Sequence, residues 1–261
     1  MIKETSILPI EGFSLVGQLF LPDQDRKYPL VCLCHGAPPG VPSQPDDGGY
    51  PELAEKLCRS GLAVYWFNFR GPGDSGGNFD LSGWTRDLQA VLDYLSGLAS
   101  FDKSRLSLVG FSAGAAVAIY VASRDTRVSR VVAGCCPAEF KPSSPGDSWQ
   151  AWVDHFREIG AFRDDDFPPS VEEWAANCTR INPKDHIAGV SPRPLLIIHG
   201  NMDSNVPVEH AHRLYEQARP PKKLVIIDGA GHRLRRDQRV IDTILSWLSS
   251  STIDPTSVGK L

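Results

Sequence analysis

Two rhythms of apolar and polar residues divide the chain. Residues 6–10 and 13–21 read as strands, and Glu11-Gly12 between them is a short turn, so the chain is predicted to open with an antiparallel hairpin. From Leu30 the pattern changes. Pro29-Leu30-Val31-Cys32-Leu33-Cys34 is a continuous apolar run suited to a parallel strand buried on both faces. It ends at His35-Gly36-Ala37-Pro38-Pro39-Gly40, and a loop rich in Pro, Gly and Asp continues to Gly49. Residues 50–60 carry Leu53, Ala54 and Leu57 at helical spacing and stop at Gly61; residues 62–69 form the next buried strand. After the loop 70–77, Ser82 is the predicted cap of a helix reaching about Leu98. A strand at 105–109, a helix at 113–123 and a strand at 128–133 follow. This alternation predicts an α/β fold, a mostly parallel sheet with helices on both faces.

Residues 137–190 interrupt the rhythm. They are rich in aromatics, Pro and Asp and show no buried strand, so they read as a cap or lid inserted into a catalytic domain made of residues 1–136 and 191–261. Trp149, Trp152, Val153, Phe156 and Ile159 recur at spacings that place them on one helical face. Val153 and Ile159 are expected to pack the insertion down, whereas Trp149, Trp152 and Phe156 are candidates to line a substrate pocket. The sheet resumes at 194–199, with a helix at 208–218, a last strand at 223–228 and a last helix at 240–248. The polar tail from Ser249 is expected to fray.

One stretch organises the rest. The apolar run Leu106-Ser107-Leu108-Val109 meets Gly110-Phe111-Ser112-Ala113-Gly114, and small helix-compatible residues follow at once, which puts Ser112 on a strand-to-helix turn. A turn this tight strains the backbone at the serine and brings strand and helix close together, so a Cβ at Gly110 or Gly114 would obstruct it. Gly73-Asp74-Ser75-Gly76-Gly77 fits the same pentapeptide and looks like the serine segment of chymotrypsin-like proteases. No helix follows it directly and the chain around it is not all-β, so Ser75 reads as a loop residue.

Composition narrows the classes. The 27 basic and 31 acidic residues of the 261-residue chain leave a net charge of −4 without a basic block, which argues against nucleic acid as a partner. Of the six cysteines, Cys32, Cys34, Cys135 and Cys136 stand at strand-like positions that suit buried free thiols better than a disulfide framework, and no metal-ligand spacing occurs. The first residues lack a signal-peptide pattern and no stretch reaches the length of a membrane span, so a cytoplasmic location is expected.

A serine hydroxyl needs a histidine to take its proton and an acid to orient that histidine. Asp203 lies in the loop beyond Ile198, in His199-Gly200-Asn201-Met202-Asp203, and His232 closes Asp228-Gly229-Ala230-Gly231-His232 after the last strand. Glu139 and Asp228 are rival acids. Of the other histidines, His210 and His212 are expected to face solvent, His155 and His186 to lie on the surface of the insertion, and His35 and His199 to satisfy backbone groups.

The order Ser112, Asp203, His232 resembles the α/β-hydrolase superfamily across residues 30–248. The loop Asn68-Phe69-Arg70-Gly71-Pro72-Gly73-Asp74-Ser75-Gly76 and the Gly231-His232 pair look most like its small esterase branch, with cinnamoyl and feruloyl esterases and acyl-peptidase-like hydrolases. The resemblance implies an α/β-hydrolase fold with a cap and a catalytic triad of Ser112, His232 and Asp203, cleaving a small acyl ester without metal or organic cofactor. It also implies an oxyanion hole: Ala113 supplies one N–H, and since Pro38 and Pro39 have none, the second comes from around Ala37, where the resemblance also places it. An acyl-peptidase or thioesterase on the same triad remains an alternative, as does a non-catalytic binding module. Dienelactone hydrolases, with cysteine at this position, and dehalogenases, with aspartate, fit less well.

Overall fold

A computed structural model describes residues 1–23, 26–38, 40, 47–142, 146–250 and 256–261. Its strands are β1 (Ile2–Ile10), β2 (Phe13–Leu21), β3 (Tyr28–Cys34), β4 (Ala63–Phe67), β5 (Phe101–Phe111), β6 (Val128–Gly134), β7 (Leu195–Gly200), β8 (Lys222–Ile227) and β9 (Thr256–Lys260). The helices are α1 (Gly49–Arg59), α2 (Leu81–Gly97), α3 (Ala113–Ala122), α4 (Trp149–Glu158), α5 (Val171–Arg180), α6 (Pro183–His186), α7 (Glu209–Gln217) and α8 (Gln238–Ser249). All nine strands form one sheet in the order β1-β2-β4-β3-β5-β6-β7-β8-β9. β1 and β2, and β2 and β4, pair antiparallel; every other pair is parallel.

The continuous apolar strands are explained by two cores. Leu30, Cys32 and Cys34 of β3 pack with α2 and α3 on one face, while Val31 and Leu33 pack with α1 and α8 on the other. Successive side chains of a strand point to opposite faces, so burial on both leaves no polar positions. All six cysteines are free and buried.

Three expectations need correction. The first strand begins at Ile2, since β1 pairs with β2 along its whole length and leaves Lys3, Glu4 and Thr5 exposed at the sheet edge. The cap of α2 is Asp80, whose carboxylate accepts the N–H groups of Ser82 and Gly83; the helix starts at Leu81, so Ser82 lies inside its first turn and not at the cap. The tail does not fray throughout. Residues 251–255 lie outside the described residues, but β9 adds to β8 in parallel and Leu261 N–H donates to Ile226 O at 2.9 Å. The predicted loop at 41–46 also lies outside the described residues.

Ser75 is fully buried; its hydroxyl donates to Asn68 O at 2.5 Å and accepts Val16 N–H at 2.9 Å, which ties the 70–77 loop to β2. Beside it, Arg70 is buried against Asp87, with Nη2 and Oδ1 2.6 Å apart, and also reaches Glu11 at 2.8 Å. Removing one partner of such a pair strands a buried charge. Asp87→Ala is therefore expected to cost about 3 kcal/mol, read as a drop in the urea midpoint.

Candidate active site

At the end of β5 the chain turns into α3 through Ser112, whose backbone is forced to φ 52°, ψ −126°. That conformation is costly for a residue with a Cβ and persists because its surroundings fix it. Ser112 N–H donates to Gly134 O at 2.9 Å, which locks the turn to β6. A Cβ at Gly114 would collide with the carbonyl oxygens of Cys34 and His35, and one at Gly110 would lie 2.6 Å from Ala115 Cα. The loop after β3 presses equally close: a Cβ at Gly36 would stand 3.0 Å from that of Ser112.

Asp203 and His232 come together as the order along the chain predicts. His232 Nδ1–H donates to Asp203 Oδ2 at 2.7 Å, with the carboxylate fully buried and the imidazole 23% exposed. Oδ1 of the same carboxylate accepts the N–H groups of Asn205 at 3.0 Å and Val206 at 2.9 Å. Burial pushes the Asp203 carboxyl up, but the bonds from His199, His232 and Val206 outweigh it and hold the group well below the ordinary carboxylate range. The rival acids are engaged elsewhere. Lys141, Lys184 and Arg213 hold Glu139 at a pKa of about 2, and exposed Asp228 accepts a bond from Asn201 at 2.7 Å.

Ser112 stands where two cavities meet. One, of about 770 Å³, is lined by Ala37, Ser112 and Ala113 together with Phe79, Phe140, Trp152, Phe156 and Trp174. The other, of about 670 Å³, is lined by Ala37, Ser112, His232, Tyr50, Cys135 and Arg233 among others. Ala37 follows β3 and Ala113 opens α3, so both candidate oxyanion donors belong to the walls beside the serine. Trp152 and Phe156 face the first cavity, with Phe156 stacked on Phe79 at 4.1 Å between ring centroids. Trp149 does not line it. That ring is half-buried against Trp152 and Trp174 at 5.0 and 6.0 Å.

The remaining histidines separate into roles. Burial pushes His35 down to about 4; the neutral ring donates from Nδ1 to Gly36 O at 2.7 Å and accepts Phe69 N–H at Nε2 at 3.0 Å, bracing the loop beside Ser112. Fully buried His199 donates from Nε2 to Val206 O at 2.8 Å and lies 3.5 Å from Asp203 Oδ2, under the loop that carries the acid. His212 is exposed as expected, but His210 is half-buried, accepts Ala138 N–H at 3.0 Å and lines the first cavity. Its helical position suggested solvent; the turn after β6 covers it. His155 is exposed, yet it also borders that cavity, and half-buried His186 packs on Tyr120 at 4.8 Å.

Two neighbours gave no functional signal in the sequence. The Tyr50 hydroxyl accepts Gly36 N–H at 3.2 Å in the second cavity. Cys135, next in line after β6, has a left-handed backbone at φ 42°. Its Sγ, an Asp203 carboxylate oxygen and a His232 ring nitrogen all lie within 4.8 Å of one another, the one such group of metal-capable donors among the described residues.

A sequence profile of the prolyl oligopeptidase family matches residues 53–252, which hold all of Ser112, Asp203 and His232. The chain belongs to that family. The uncharacterized Mycobacterium tuberculosis protein Rv2307c is 27% identical over 250 residues, spanning 93% of this chain and 78% of the relative. Among solved structures, the α/β hydrolase GrgF from Penicillium sp. sh18 superposes with a TM-score of 0.75 at 18% identity, covering 95% of this chain and 98% of GrgF. Est1E from Butyrivibrio proteoclasticus, solved with ferulic acid bound, gives 0.67 at 19% identity, covering 93% and 96%. Family and fold together bear out the α/β-hydrolase resemblance, and the chain is a hydrolase of the serine-hydrolase type. Among the described residues, no helix is long and apolar enough to cross a membrane.

Proposed function

We propose that this prolyl oligopeptidase family member hydrolyses carboxylic esters of apolar or aromatic acids through Ser112, His232 and Asp203. The observation that carries the reading is the His232–Asp203 pair at 2.7 Å, with His232 and a strained Ser112 lining one cavity and Ser112 lining a second. His232 takes the Ser112 proton as Oγ attacks the ester carbonyl, and the Ala113 and Ala37 N–H groups receive the charge that develops on the oxygen. The alcohol leaves with the proton from His232; water then enters, gives its proton to the same ring and releases the acid.

The aromatic cavity is the place for the acyl group, which the ferulic acid bound to Est1E supports by analogy. Residues 137–190, with α4 and α5, act as a cap that supplies Trp152, Phe156 and Trp174 to it. Amide cleavage is the second reading, favoured by membership of a family named for peptidases.

A fluorophosphonate probe and a panel of p-nitrophenyl esters, with aminoacyl p-nitroanilides beside it, test the proposal. Labelling with faster ester cleavage is expected. An unlabelled protein would be a binding module, and faster anilide cleavage would favour the peptidase. Trp152→Ala should reorder the acetate, butyrate, octanoate and aryl esters. Trp149→Ala should leave the order alone and cost about 1–3 kcal/mol of stability, because that ring packs within the cap. An unchanged order in the Trp152 variant would assign that ring to packing as well.

A further inference from the structure

The catalytic base has a thiol beside it that the hydrolytic steps leave unused. Cys135 Sγ joins an Asp203 carboxylate oxygen and a His232 ring nitrogen within 4.8 Å. Cys135 and His232 line the same 670 Å³ cavity, so a small ion has a route to both. The cysteine is also held in an unusual way. Its φ of 42° is in the region that disfavours side chains, and Cys135 N–H is tied to Ile198 O of β7 at 2.9 Å.

We propose that Cys135, His232 and Asp203 form an inhibitory site for a soft divalent cation such as Zn²⁺, which switches the hydrolase off by capturing its base. The inference rests on the triad reading only for its effect on activity; the binding site stands on geometry alone. Sulfur, imidazole nitrogen and carboxylate oxygen are the donor set of zinc, whereas Mg²⁺ and Ca²⁺ prefer oxygen throughout. Tetrahedral zinc, with bonds of about 2.0–2.3 Å, sets its donors about 3.3–3.7 Å apart. From donors that all lie within 4.8 Å, the metal requires the His232–Asp203 pair to open from 2.7 Å while Cys135 Sγ closes on them.

Charge also balances. Binding releases the thiol proton to solvent, and the resulting thiolate with the Asp203 carboxylate neutralises the dication, His232 contributing as the neutral ligand. No oxidant or reductant enters. Once Nδ1 is held by the metal, the hydrogen bond that it donates to Asp203 Oδ2 at 2.7 Å is lost, and with it the orientation that lets the imidazole take a proton from Ser112.

The first test is inhibition of ester hydrolysis by ZnCl₂ in wild type, Cys135→Ala and Cys135→Ser, each relative to its own metal-free rate. Micromolar zinc should inhibit the wild type, EDTA should restore it, and both variants should need at least about 100-fold more metal, more than loss of one outer-shell partner commonly costs. The second test does not depend on turnover. Titrating Ser112→Ala with CdCl₂ should give a thiolate-to-metal ultraviolet band that saturates at one equivalent and is missing from the Ser112→Ala/Cys135→Ala protein. Equal inhibition of the Cys135 variants, or no zinc inhibition of an active wild type, would overturn the proposal; so would a cadmium band that persists without Cys135 or never forms. If the wild type cleaves no ester, the cadmium titration alone decides the site, and the two readings fail separately.

Discussion

Replacing Ser112 by Ala is expected to abolish fluorophosphonate labelling and to lower kcat by roughly 10⁶-fold, the scale reached when a serine hydrolase loses its nucleophile. The fold should survive, since the change removes one oxygen at the edge of two cavities. Ser75→Ala should do the reverse. Its hydroxyl is fully buried between Asn68 O and Val16 N–H, so truncation strands both and costs about 1–3 kcal/mol while labelling persists. Labelling gels and urea midpoints on the two variants separate these outcomes. A folded Ser75 variant that no longer labels, beside a Ser112 variant that does, would exchange the roles of the two pentapeptides.

Asp203→Asn should fold and bind substrate but lose about 10³–10⁴-fold in kcat. The reason lies in the donors around the carboxylate. Asn205 N–H and Val206 N–H both point at Oδ1, so an amide in this position turns its own oxygen toward them and its NH₂ toward His232. The ring must then accept at Nδ1 and carry its proton on Nε2, where it has no lone pair left for the serine proton. Turnover near that of the wild type would sink the assignment. Stability should follow pH in a related way. The folded Asp203 carboxyl lies well below its ordinary range, so its charge contributes stability at neutral pH that is lost as pH falls from that range toward the folded value. Denaturant midpoints of the variant should trail the wild type at pH 7 and converge with it on acidification.

The residues explain which parts of this molecule were legible in advance. The turn at Ser112 was readable because an apolar strand, two glycines and a run of small helix formers agree, and the loops that carry Asp203 and His232 because each follows an apolar run of strand length. Strand order was not readable: local pattern says that β3 is buried on both faces, not that β4 and β5 flank it. β9 escaped because Thr256-Ser257-Val258-Gly259-Lys260 has one large apolar residue, and pairing with β8 makes it a strand despite that composition. Around the site, Ala37, Ala113, Trp152 and Phe156 line the cavity, whereas Trp149 faces two other rings. Periodicity fixes a helical stripe but not how far round the stripe a cavity reaches. Cys135 had only a neighbouring cysteine to mark it, and neither its left-handed backbone nor its distance to Asp203 has a local sequence signal.

The three residues proposed to act together hang from the ends of β5, β7 and β8, with the whole 137–190 segment between the first and the second. Translation thus builds the hydroxyl on its tight turn before the chain that carries the proposed base and acid exists. On the proposed triad, return of turnover during refolding times the docking of β7 and β8 onto the sheet rather than the collapse of the first strands.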